Sequence, residues 1–134
     1  MAEAAPLGLI LLEGSYERVH YGLAMAASAL AVNRPAVLFF TNGALLALAG
    51  EQGWRRLQGD ALREEARRKA AGVAGLPELL EACAALGGRL IACEMGLRTM
   101  ALAANDLRSD IKIEIAGLVT FYGALPAGAQ PTVL

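Results

Sequence analysis

A chain of 134 residues is one domain's worth of sequence and is long enough to bury a core. Its 12 basic and 13 acidic residues leave a formal net charge of −1, which argues against general electrostatic binding to nucleic acid or to an anionic membrane. The apolar fraction of 56% exceeds that of an ordinary soluble domain, so apolar faces are expected to be hidden between the subunits of a homo-oligomer or beneath helices on both sides of a parallel sheet.

The run Leu7–Leu12 has the length and continuous apolar character of a buried strand. Glu13-Gly14-Ser15 breaks it, and Ser15 is a fair N-cap for a helix that carries Val19, Leu23, Ala26, Ala27 and Leu30 on one stripe. Asn33-Arg34-Pro35 stops that helix. Ala36–Thr41 is the second strand, rich in β-formers, followed by a turn at Thr41-Asn42-Gly43 and a short apolar helix over Ala44–Ala49. Strand, helix, strand, helix in the first fifty residues predicts a parallel sheet with right-handed crossovers.

Gly50–Gly72 differs in kind. It holds Arg55, Arg56, Arg63, Arg67, Arg68 and Lys69, half of the basic residues, with a thin apolar face of Trp54, Leu57, Ala61 and Leu62. Such a segment reads as a mobile or partly helical excursion, either a solvated surface or a lid or docking arm over a site. Pro77 opens a helix with Leu79, Leu80, Cys83 and Leu86 on one face, ended by Gly87-Gly88, which places Cys83 in the core. Leu90–Cys93 is the third strand, and a helix is predicted over 94–104. Ile111–Ile115 alternates apolar and charged residues like an edge strand. A helix over 117–125, a turn at Pro126–Gly128 and a short final strand within 131–134 complete the pattern. The fold class is therefore α/β: a three-layer sandwich, in one domain over 1–134, whose central, mostly parallel sheet of about five strands is flanked by helices.

The longest uncharged stretch, Ile115–Leu134, is apolar for only about eleven residues, short of the roughly 20 that span a bilayer, so no membrane span is expected. Glu3 stands where a signal peptide would carry basic residues, and two cysteines without paired spacing fit a reducing cytoplasm. One histidine and two cysteines ten apart give no metal-ligand pattern, and neither a phosphate-loop nor a dinucleotide glycine pattern is present, so neither metal nor cofactor is expected. His20 near the start of the first helix reads as a hydrogen-bonded, partly buried residue, and no nucleophile elbow surrounds any serine.

What remains is Arg89-Leu-Ile-Ala-Cys93-Glu-Met-Gly-Leu-Arg98, a buried strand that runs straight into a helix. Open α/β folds keep their sites at the carboxyl edge of the sheet, and a sulfur at this junction faces the unpaired N–H groups of the new helix. Cys93 is thus either a nucleophile or a small buried hydrophobe. Ser15 and Tyr16 from the first loop, Thr41, Asn42 and Gly43 from the second, and Glu94, Met95, Gly96 and Arg98 after the cysteine are the candidate substrate-binding residues, since glycine-bearing loops let backbone N–H groups approach an anion or a sulfur species.

The opening strand, the Ala-rich helix, Val37-Leu-Phe-Phe-Thr-Asn-Gly43, Gly87-Gly-Arg-Leu-Ile-Ala-Cys93 and Ile113-Glu-Ile-Ala-Gly-Leu-Val-Thr-Phe-Tyr122 together resemble the DsrE/DsrF-like family over nearly the whole chain. Ala92-Cys93-Glu-Met-Gly-Leu followed by Asp106-Leu107 and Ile115-Ala-Gly-Leu are the most specific parts. The long charged excursion is more like that of the family's stand-alone branch. The resemblance implies a parallel-sheet α/β subunit that assembles as a trimer or hexamer. It also implies a sulfur carrier or sulfurtransferase, with a persulfide on Cys93 and a protein donor or acceptor as partner. A non-catalytic small-ligand-binding or scaffold protein of the same fold is the alternative, and a peroxide-sensing thiol is a third reading.

Overall fold

The computed structural model describes residues 5–134. Five strands form one all-parallel sheet: β1 (Leu7–Leu11), β2 (Ala36–Phe40), β3 (Arg89–Cys93), β4 (Glu114–Ala116) and β5 (Thr132–Val133), in the order β4-β3-β2-β1-β5. The helices are α1 (Tyr16–Ala31), α2 (Ala61–Ala70), α3 (Leu76–Ala85), α4 (Glu94–Thr99) and α5 (Leu118–Gly123). The α/β sandwich expected from the alternation is present, with the sheet parallel throughout.

Strand order decides how the layers fill. From β1 to β4 the chain always steps the same way across the sheet, so right-handed crossovers put α1, α2, α3 and α4 on one face. Only the return from β4 to β5 runs backwards, and it puts α5 alone on the other. Side-chain alternation then splits the core in two. Leu9, Leu11, Leu38, Phe40, Leu90 and Ala92 point into the large layer with α1 and α3. Val37, Phe39, Ile91 and Cys93 point to the thin layer and meet Phe121 and Leu125. Phe39 and Phe121 pack with ring centroids 5.4 Å apart. Beyond the reach of α5, at the amino end of this face, the Arg89 guanidinium covers the sheet by pairing with Glu114 at 2.6 Å.

The excursion over 50–72 is anchored to the body. It contains a 3₁₀ turn (Gly53–Arg56) and α2, and Trp54, Leu57 and Ala61 are buried in the large layer, while Leu62 is exposed. Gln58 donates to Gly14 and accepts from Tyr16 through backbone bonds of 2.8 and 2.9 Å. Glu65, buried on α2, accepts hydrogen bonds from the Tyr16 hydroxyl and from Leu76 N–H at the start of α3. Its second oxygen has Lys69 at 3.6 Å and no hydrogen bond. Arg68 lies 5.0 Å above the Tyr16 ring. One carboxylate thus ties α1, α2 and α3 together.

Two elements are shorter than the pattern predicts. The helix after Cys93 ends at Thr99 instead of reaching Ala104, because Ala101 adopts φ 54 and the chain reverses. Leu102 N–H then bonds Leu97 C=O, and Ala101 N–H bonds Arg98 C=O, a Schellman ending that returns Leu102 to the core. The edge strand starts at Glu114 instead of Ile111. Residues before it are held back by Arg108, a buried guanidinium bonded to Asp110 and Glu81. Ile111 and Ile113 still pack on the core, whereas Ile115 is exposed. No helix among the described residues is long and apolar enough to cross a membrane.

Candidate functional site

β3 ends at Cys93, whose backbone stays extended (φ −65, ψ 118) while the next residue begins α4. Cys93 is therefore the N-cap, and its sulfur accepts the Gly96 N–H at 3.2 Å. Gly96 has to be glycine here: a Cβ would come within 2.9 Å of the Leu45 and Thr41 side chains and 3.0 Å of Asn42 N. The carboxyl-edge loops are equally close-set at Gly14 and Gly43, where a Cβ on either would meet the other's Cα at 2.8–2.9 Å.

Alternation along β1, β2 and β3 carries Ile10, Phe39 and Cys93 to the same face, and the residues that follow each strand extend it. The result is a cavity of about 270 Å³ in the thin layer. β1 and its loop supply Ile10 and Leu12; β2 and its loop supply Phe39, Thr41 and Asn42; Cys93 and Met95 come from the third junction. Leu118 and Tyr122, one turn apart on α5, close the remaining side. None of these residues is charged. Thr41 is only 8% exposed, and its hydroxyl caps nothing, although it stands at the N-cap of the following 3₁₀ turn (Asn42–Leu48). Asn42 holds φ 46, a left-handed position that Asn tolerates better than most residues.

The structure thus gathers Cys93, Thr41, Asn42 and Met95 from the predicted set, with Gly96 behind as donor. It does not gather the rest. Ser15 caps α1 by accepting Arg18 N–H at 3.2 Å and lines a different depression with Gln58 and Glu64. Tyr16 is wholly buried, its hydroxyl turned to Glu65. Burial, then the hydrogen bond to Glu65, then that residue's charge push the Tyr16 phenol well above its usual range. Gly43 packs on Gly14. Glu94 and Arg98 pair with each other at 3.3 Å in solvent and line no part of the cavity. Nor does any residue of 50–72, which packs on the opposite face; α5 is what overhangs Cys93.

Ile10, Leu12, Phe39, Leu118 and Tyr122 were not among the sequence candidates. Period-two alternation in β1 and β2 would have found the first three, and the four-residue spacing of Leu118 and Tyr122 the others. The second thiol, Cys83, is fully buried between α1 and α3, and burial pushes it up to about 11. His20 is also buried and meets Ala74 C=O at 2.8 Å, as a structural histidine does. Among the described residues no group of three or more His, Cys, Asp or Glu could hold a metal ion. No family model matches the chain, and no curated protein matches it.

Proposed function

We propose that the protein is a sulfur carrier or sulfurtransferase that holds sulfane sulfur as a persulfide on Cys93. The observation that carries this reading is the contrast between the two thiols. Both thiols are buried, but Cys83 is packed in the core, whereas Cys93, 2% exposed, lines a cavity at the carboxyl edge of the sheet and already accepts a backbone N–H. That hydrogen bond holds the Cys93 sulfur in a fixed place at the cavity wall, from which a thiolate can attack a donor. Thiolate attack on the outer sulfur of a donor forms the Cys93 disulfane bond and releases the donor's thiolate. An acceptor thiolate then attacks the outer sulfur and leaves Cys93 as it began. The family resemblance of the sequence points the same way.

The assembly belongs to the same proposal. The thin face leaves Leu118, Val119 and Tyr122 of α5 and Val133 of β5 exposed, with Val119 at 88%. A second copy of this chain packed over α5 would cover them, in keeping with a homo-oligomer of a trimeric or hexameric kind. Two free, unpaired cysteines suit a reducing compartment such as the cytoplasm.

Intact-mass measurement after brief exposure to polysulfide tests the carrier reading. Wild type and Cys83→Ala should each gain sulfur that an added thiol protein removes, and Cys93→Ala should gain none. Sulfur uptake independent of Cys93, or none at all, would return the cavity to the non-catalytic ligand-binding alternative.

A further inference from the structure

We infer that the Cys93 cavity takes small organic persulfides with an uncharged alkyl or aryl R, reacting in their protonated form R–S–S–H, in preference to inorganic sulfur anions and to charged carriers. The inference rests on the persulfide reading of Cys93 and names its substrate class. Ile10, Leu12, Phe39, Leu118 and Tyr122 give the cavity an apolar wall, and it holds no cation. The two arginines nearest Cys93 in sequence are both engaged elsewhere: Arg89 pairs with Glu114, and Arg98 is 81% exposed and paired with Glu94. A dianion such as thiosulfate would lose its hydration there with nothing to replace it, a cost that rises steeply as water is excluded. An apolar R group gains from the same wall. A volume of about 270 Å³ has room for a ligand on the order of ten heavy atoms, the size of a benzyl or short alkyl persulfide.

An independent observation marks the polar end of the ligand. Thr41 is more than nine-tenths buried, lines the cavity, and its hydroxyl has no partner among the described residues. Among the described residues Glu65 Oε2 is the buried side-chain atom left without a partner, so the Thr41 oxygen is reached from the cavity and can donate to a ligand sulfur or its departing thiolate. Asn42 offers a second amide donor at the rim. The reaction balances without an added oxidant or reductant. Cys93, its proton given to water, attacks the outer sulfur; the Sγ–S bond forms as the S–S bond of the donor breaks. The electron pair leaves on R–S⁻, which is protonated by water, and the outer sulfur keeps its hydrogen as Cys93–S–S–H. Thr41 is placed to donate to R–S⁻ as it departs.

The experiment compares loading rates of the full chain by intact mass with benzyl hydropersulfide, glutathione hydropersulfide and thiosulfate. Each rate is divided by that of the same donor on a short cysteine peptide. After that correction the benzyl donor should exceed the other two by tenfold or more. Leu118→Ala and Tyr122→Ala, at exposed positions, should erode the preference severalfold, and Met95→Arg should shift it toward thiosulfate. Thr41→Val should slow every donor, with Thr41→Ser restoring the rate. Equal or faster corrected loading from thiosulfate or glutathione hydropersulfide would overturn the substrate class while leaving the carrier function standing. Failure of every donor to load Cys93 would overturn both.

Discussion

Cys83 and Cys93 lie ten positions apart and face opposite surroundings, one packed against the Leu23 carbonyl inside the large layer, the other lining a cavity. At mildly alkaline pH a haloacetamide should therefore alkylate the native protein once, at Cys93, and reach Cys83 only after denaturation; peptide mapping of the labelled site checks this. Cys83 also makes stability depend on pH. Its pKa rises on folding, from 9.0 to about 11, so between those values the unfolded chain has lost a proton that the folded one keeps. The contribution of the neutral thiol is complete below about pH 9 and declines as pH climbs toward 11. Melting temperatures across that window should fall more for wild type than for Cys83→Ala, and parallel curves would show that Cys83 is not responsible. Glu65 is the other residue whose neighbours set a measurable cost. Glu65→Ala strands the Tyr16 hydroxyl and the Leu76 N–H in the interior and should cost about 2–4 kcal/mol in urea denaturation. Glu65→Gln keeps an accepting oxygen and should cost less.

At the scale of elements, α5 is six residues long yet is the helix that covers the second face of the sheet. Phe121 anchors it against Phe39, so Phe121→Ala should destabilise the fold by about 3–5 kcal/mol and loosen the wall of the Cys93 cavity. Thermal melts and a faster alkylation of Cys93 read out the two effects together. Elements with strong local signals were legible in the sequence: β1 to β3 from their apolar runs, α1 from the Ser15 cap, α3 from Pro77, and the Cys93 junction from the abrupt change of period. What was not legible depended on partners far along the chain. The early end of α4 rests on a left-handed alanine, Ala101, where glycine would have been the sign. The late start of β4 rests on Arg108 finding Glu81 and Asp110. The charged 50–72 segment reads as solvated because most of α2 is charged, and the burial of Trp54, Leu57, Ala61 and Glu65 reveals that it is fixed in place. Of the loop residues, Thr41 and Asn42 line the cavity with Cys93, whereas Ser15 and Tyr16 face elsewhere, since a loop's neighbourhood in the sheet does not say which way its side chains turn.

Taken whole, the molecule is lopsided: four helices on one side of the sheet, one on the other. The uncovered rim of that second side is where a further copy of the chain is proposed to sit. Val119 lines no part of the Cys93 cavity, so Val119→Asp should dissociate the assembly without changing the circular dichroism spectrum. Light scattering on a sizing column checks it, and a wild type that already runs as a monomer at micromolar concentration would remove the self-association reading.

The same lopsidedness bears on how the chain is made. Most of the large layer has been synthesised once Cys93 and α4 leave the ribosome, whereas α5 is complete only about 30 residues after Cys93 and β5 about 40 after it. At about 5–20 residues per second, the nascent sheet spends roughly 1.5–6 s with Val37, Phe39, Ile91 and the Cys93 thiol not yet covered by α5. During that interval an apolar sheet face and the Cys93 sulfur stand uncovered, a condition under which apolar strands associate wrongly.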